Sequence, residues 1–135
     1  MIKEAYVSFE VAKLLKEKGF NEYCLKNYWS SDKELHDWKW ELSYNRNSDG
    51  NSNTKDCSAP TQAMALAWLR EIHNKYCDIG YDIDLDWFFQ VIDLKETVEN
   101  DYLETKHYHT ENETGFNTYE EALEAALKYT LENLI

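Results

Sequence analysis

The hydrophobic period changes at Cys77, and that change limits what the chain can become. From Cys57 to Cys77 the apolar residues Ala65, Trp68, Leu69, Ile72 and Tyr76 recur at helical spacing. Beyond it Cys77, Ile79, Tyr81, Ile83 and Leu85 alternate with Asp78, Gly80, Asp82, Asp84 and Asp86. The first spacing gathers side chains on one stripe of a helix and the second on one face of a strand, so the chain passes here from helix to sheet. Trp87 to Leu94 is apolar at both parities, as in a strand flanked on both sides, and the two segments predict an antiparallel hairpin turning near Asp84 to Asp86.

Three helices are predicted. The central one, Pro60 to Lys75, starts on a proline whose φ is already helical. Ala63, Met64, Leu66 and Ala67 make its first turns apolar nearly all round, the pattern of a helix on which the rest of the chain packs, and Glu71 and Lys75 stand at ion-pair spacing. Phe9 to Lys18 is capped by Ser8 and followed by Gly19 where a left-handed residue is wanted, with Phe20 placed to fold back on Leu15. Tyr119 to Leu134 opens with a Thr118/Glu121 capping box and shows one apolar face. Strands are expected from the alternation of His36 to Tyr44 and, as an edge, from Tyr102 to His109; Asn21 to Asp32 has no sustained period and admits only a short strand. The expected architecture is α+β, with an antiparallel sheet of about four strands packed with a single layer of three helices. It forms a single domain, 1–135, with a mobile polar loop over 45–56. Trp68, Leu69, Ile72, Val91, Leu123 and Leu127 are the predicted core.

A chain of 135 residues can bury such a core without staples. Its three cysteines, at 24, 57 and 77, form no Cys-x-x-Cys pair and fit a reducing, cytoplasmic setting. Lys3, Glu4, Glu10 and Lys13 interrupt the first twenty residues, which therefore lack the apolar core of a signal peptide, and no run nears the ~18 apolar residues of a membrane span. The net charge of −12 is uneven: eleven acids balance eleven Lys or Arg through Cys77, while fifteen acids face only Lys95, Lys106 and Lys128 after it. Phosphate contacts need Lys and Arg, so direct nucleic-acid binding by the second part is excluded, and a basic protein is the partner this charge would attract.

Several constellations carry possible chemistry. Asp78, Asp82, Asp84 and Asp86 stand at period-two spacing, roughly 6 to 7 Å apart on an extended strand, and form a candidate binding row that could imitate a nucleic-acid backbone. Asn45, Asn47, Asp49, Gly50, Asn53 and Asp56 match part of a calcium loop, but position one is Asn, position twelve is the shorter Asp, and a strand precedes it. Asp82, Asp84, Asp86 and Asp93 repeat that spacing with Trp87 in the glycine position. Neither is taken as a metal site, and no cofactor is expected. Cys57, placed just before the central helix, could be a thiol activated by the helix dipole with His36, His73, His107 or His109 as base. His107 and His109, alone on one strand face, do not define zinc geometry.

Ala59-Pro60-Thr61-Gln62, Trp68-Leu69-Arg70-Glu71 with His73-Asn74, Lys16-Glu17-Lys18-Gly19-Phe20 and Thr118-Tyr119-Glu120-Glu121-Ala122-Leu123-Glu124 together resemble a family of small uncharacterised proteins from gut-bacterial and phage genomes. The resemblance covers most of the chain outside 21–56. It implies the α+β order and a phage or mobile-element origin, and brings no catalytic residue. Three functions stay open: a non-enzymatic accessory or protein-interaction domain, which is the expected one; an acidic DNA mimic that occupies a basic nucleic-acid-binding protein; and a cysteine-dependent enzyme using Cys57.

Overall fold

The computed structural model describes residues 1–37, 44–48, 55–99, 102–108 and 113–135. The class is α+β, with α1 (Phe9–Glu17), α2 (Gln62–His73) and α3 (Tyr119–Asn133) and strands β1 (Lys26–Tyr28), β2 (Leu35–Asp37), β3 (Cys57–Ala59), β4 (Lys75–Asp82), β5 (Asp86–Glu99) and β6 (Tyr102–Tyr108). In place of one sheet of about four strands there are two antiparallel sheets of three, ordered β2-β1-β3 and β4-β5-β6. The chain divides into two compact units, Met1–Met64 and Ala65–Ile135.

In the first unit the Ser8 hydroxyl accepts from the Val11 amide at 3.1 Å, capping α1. Its other end closes through Gly19, at φ 91°: the Gly19 amide donates to the Lys16 carbonyl at 3.1 Å and the Phe20 amide to the Leu15 carbonyl at 2.8 Å. That reversal carries Phe20 back beneath the helix, where it is buried with Val11, Ala12 and Leu15. Helix α1 lies against β3.

The strands of the first sheet have three residues each, too few to fix a register by their own ladder, and polar side chains tie them in place. Asp56 is the centre of the knot: its carboxylate accepts from the Ser30 amide at 2.7 Å and from Arg46 Nη2 at 2.8 Å, and its carbonyl accepts from Lys16 Nζ at 2.7 Å. Asn47 donates to the Phe20 carbonyl at 2.8 Å and accepts from the Ser58 amide at 3.1 Å. The polar stretch expected to be mobile is thus held at both described ends, with a 3₁₀ turn at Arg46–Ser48, while 49–54 lie outside the described residues. Of the strand expected from His36 to Tyr44, His36 and Asp37 fall in β2, Tyr44 forms a bridge to Cys24, and 38–43 lie outside the described residues.

Helix α2 starts two residues later and ends two residues earlier than its spacing predicts. Thr61 is the cap, its hydroxyl accepting from the Met64 amide at 3.1 Å, so Pro60 precedes the helix. Asn74, at φ 55°, ends it in the left-handed conformation that asparagine tolerates better than most residues. Lys75 therefore leaves the helix and pairs with Asp93 across the hairpin at 3.1 Å, and Glu71 pairs with Arg70 instead. Trp68 and Leu69 are buried as predicted, together with Ala65; Ile72 is not, being 59% exposed one residue before the helix ends.

The hairpin follows the alternation. Strands β4 and β5 pair without a break from Lys75 opposite Asp93 to Asp82 opposite Asp86, and Ile83 to Leu85 make the turn. Asp86 sits at φ 58°, the left-handed residue that often follows such a turn. Strand β6 is an edge, as predicted, and its register against β5 shifts between Asp93 and Thr97. Lys75, Cys77, Ile79 and Tyr81 share a face with Trp87, Phe89, Val91 and Asp93, and α3 lies on β4 and β5. There Cys77 Sγ meets Thr130 Oγ1 at 3.5 Å, and Phe89 and Tyr129 rings lie 6.1 Å apart. The Thr118 hydroxyl accepts from the Glu121 amide at 3.1 Å, so Thr118 caps α3 as predicted, while the Glu121 carboxylate reaches one residue past the cap to accept from the Asn117 amide at 3.1 Å in place of the Thr118 amide that a full capping box would engage. On the other face Gly80 stands opposite Phe88, and a Cβ built on Gly80 would lie 2.5 Å from the Phe88 ring.

Leu127 is fully buried on α3. Leu127→Ala is expected to lower stability by ~2–5 kcal/mol through lost burial and the cavity left behind, read as a reduced denaturant midpoint at unchanged slope.

Candidate functional site

The acidic row does not form a straight line. Asp78 lies on β4, where its carboxylate accepts from Gln90 Nε2 at 2.8 Å on the paired strand. The strand stops at Asp82, whose carboxylate turns back to accept from the Asp84 amide at 2.8 Å. Asp84 lies in the turn, and Asp86 stands opposite Asp82 on β5. Asp82, Asp84 and Asp86 are therefore brought together at the hairpin tip, and Asp78 is set apart along the strand.

The same tip carries exposed apolar groups that alternation alone would have turned inward. Ile83 is 85% exposed, Tyr81 60% and Leu85 45%. The inward face predicted for these residues holds only through Ile79, because α3 packs over the hairpin's base and the turn begins at Ile83. The tip is braced: the Leu85 amide donates to the Asp82 carbonyl at 3.2 Å and the Gly115 amide to the Leu85 carbonyl at 2.9 Å. Behind it Trp87 and Phe116 exchange two backbone hydrogen bonds, and edge-to-face contacts run from Tyr81 to Trp87 at 5.3 Å and from Trp87 to Tyr119 at 5.7 Å. The result is an apolar point set among carboxylates on a fixed backbone.

The cysteine candidate is placed otherwise than predicted. Cys57 lies in β3, not at a helix entrance, and is fully buried. Burial pushes its thiol up to about 11, opposite to the direction a nucleophile needs, and the nearby Lys16 offsets this only in part. Burial likewise raises Cys24 to about 12 and Cys77 to about 11.

Of the histidines, His36 is stacked on Trp29 with ring centroids 3.7 Å apart, and its Nε2 lies 2.8 Å from the Asp32 carboxylate. Hydrogen bonding from the Glu34 amide, more than the partner histidine, holds the Asp32 carboxyl below its usual range. Periodicity gave no sign of this cluster, which depends on the tight β1–β2 turn with Lys33 at φ 56°. His73 makes an edge contact with Trp68 at 4.6 Å, His107 lies on β6 opposite Ile92, and His109 lies outside the described residues.

The calcium-loop residues Asn45, Asn47 and Asp56 spend their side chains on Asn21, on Phe20 and Ser58, and on Ser30 and Arg46, while Asp49, Gly50 and Asn53 lie outside the described residues. Among the described residues no three His, Cys, Asp or Glu converge as metal ligands, and no helix is long and apolar enough to cross a membrane. An open groove of about 300 Å³ in the first unit is lined by Tyr6, Tyr23, Leu25, Pro60, Met64 and Glu4. Compared with protein-family models, curated proteins and solved structures, the chain gives no match in any of the three.

Burial works to raise the Asp56 carboxyl, but hydrogen bonds from Ser30 and Arg46 outweigh it and hold the group below its usual range. A carboxyl depressed on folding contributes stability that is present above its unfolded value, near 3.8, and is lost as pH falls through its lower folded value. Asp56→Asn should therefore destabilise the first unit at pH 7 and flatten the acid limb of its denaturation midpoint as pH falls below the unfolded value of 3.8.

Proposed function

We propose that the chain is a small non-enzymatic protein-interaction domain that engages a basic protein partner through the tip of the β4–β5 hairpin. The observation that carries this reading is Ile83, 85% exposed at the end of a braced turn and flanked by Asp82 and Asp84. A large aliphatic group held in water by its backbone gains on entering an apolar pocket, and because the turn is already ordered little conformational freedom is lost on binding. The carboxylates around it favour a pocket rimmed by Lys or Arg, speeding encounter and selecting against acidic partners. The resemblance to gut-bacterial and phage proteins supports an accessory role on a mobile element.

The DNA-mimic reading is the weaker one, since three of the four carboxylates gather at a turn and the fourth is bonded to Gln90. A Cys57 enzyme is weaker still, because the buried thiol lacks both access and activation.

Affinity capture from a native host with the wild-type chain as bait, followed by titration of the captured protein, tests the proposal. Ile83→Ser is expected to weaken binding tenfold or more, as truncating a buried anchor does. Asp82→Asn with Asp84→Asn should reduce the salt dependence with a smaller loss of affinity. A partner that DNA displaces and that is insensitive to Ile83→Ser would favour the mimic and overturn the hairpin-tip reading.

A further inference from the structure

Strand β4 is one edge of the second sheet, and over residues 77–81 its outer side has no strand beside it among the described residues. Its partner strand shows which groups it presents there. Trp87 exchanges two backbone hydrogen bonds with Phe116, and the Phe89 amide donates to the Glu113 carbonyl at 2.9 Å, so both residues turn their polar groups away from β4. In an antiparallel pair, opposite residues either exchange both bonds or direct both sets of groups outward. Tyr81 stands opposite Trp87 and Ile79 opposite Phe89, so the amides and carbonyls of Tyr81 and Ile79 point out of the sheet, and those of Cys77 follow by the same parity. Strand β5 has no such open side, being bounded by β6 and, at Trp87 and Phe89, by Phe116 and Glu113.

The side chains along this edge alternate in kind. Asp78 and Asp82 flank Gly80 on one face, and neither carboxylate is paired with a cation among the described residues: one accepts from Gln90 and the other from the Asp84 amide. Ile79, half-buried, and Tyr81, 60% exposed, lie on the other face. A strand laid antiparallel along β4 sets its side chains directly opposite these, on the same faces, with Cβ atoms roughly 4.5–5.5 Å apart. Lys or Arg then meets Asp78 and Asp82, and apolar residues meet Ile79 and Tyr81. A second copy of the chain is the wrong occupant, because pairing about Gly80 sets Asp78 opposite Asp82 and brings a further −12 of charge to an acidic surface. The other edge, β6, mixes Glu104 with Lys106 and selects neither sign.

We propose that the basic partner is bound by strand addition, an extended segment that alternates apolar residues with Lys or Arg pairing antiparallel with residues 77–81 of β4. The proposal rests on the hairpin-tip reading for the partner's charge and extends it from one anchor to a strand-length contact. Main-chain bonds supply the affinity, and the alternate side chains choose the sequence.

Amide-resolved NMR titration of the native chain with a blocked peptide of alternating Val and Lys, about nine residues long, tests this. Saturable shifts and slowed hydrogen exchange are expected at the Cys77, Ile79 and Tyr81 amides, and a peptide with Glu in place of Lys should produce neither. In the antiparallel register the peptide amides that face β4 belong to Val. N-methylation of the Val amides should therefore weaken binding about tenfold or more, and N-methylation of the Lys amides should leave it unchanged. Ile83→Ser should leave the edge shifts in place, since the peptide brings no pocket for that anchor. The absence of saturable shifts, equal binding by the two N-methylated peptides, or shifts confined to residues 83–85 and lost in Ile83→Ser would each overturn strand addition. None of these would touch the hairpin-tip reading, which stands or falls on Ile83→Ser with the captured partner.

Discussion

The first unit depends on the short polar segment around β3. Three-residue strands supply too few ladder bonds to hold one register against slippage, so register there comes from side chains that reach across it. Asp56 connects the β1–β2 turn, the 3₁₀ turn and α1 through Ser30, Arg46 and Lys16. Two residues on, Ser58 accepts from the Arg46 amide, and Asn47 closes the circuit from the Ser58 amide to the end of α1 at Phe20. These bonds are part-buried, where each counts for more and each omission costs more than at full exposure. The arrangement is cooperative for that reason: removing one partner leaves the others half-buried and only partly satisfied by solvent.

The second unit is held in a different way. Its hairpin is long and regular, and the helix on it is apolar along one face, so burial of Val91, Phe89, Leu123, Leu127 and Leu131 supplies most of the stabilisation. Polar contacts there adjust more than they hold. Thr130, for instance, satisfies its hydroxyl on the Ala126 carbonyl at 2.8 Å while lying beside Cys77. The contrast explains why the acidic excess can concentrate in this part of the sequence: a core made by apolar burial tolerates a charged exterior that a polar knot would not.

That contrast also explains what could be read in advance. Periodicity reports burial, so α3 with its Thr118 cap, the β4–β5 hairpin and the Gly19 reversal of α1 were legible from residues 8 to 20 and 75 to 134. The knot was not, because Asn45, Asn47, Asp56 and Ser58 look like solvated loop residues in one dimension, and only their long-range partners make them structural. The same blindness misplaced Cys57, whose neighbours Ser58 and Ala59 are buried by the sheet, not by hydrophobic pattern. Pro60 misled for a simpler reason: a helix start two residues later, at Gln62, makes Thr61 the cap, and Thr61 has a hydroxyl to accept the Met64 amide. At the candidate site the four aspartates were legible as residues and illegible as geometry, since whether alternating side chains form a row or a cluster depends on where the strand stops.

Gly80 and Phe88 form a matched pair across the hairpin, the ring filling the space that a side chain on the glycine would need. An aromatic laid over a strand glycine restores the cover and rigidity that glycine alone forfeits, so neither residue is neutral without the other. The two positions therefore behave as one heritable unit. A drift from glycine to a larger residue is tolerated only after the ring has given way to something smaller, and the order of those two steps constrains how this hairpin can diverge.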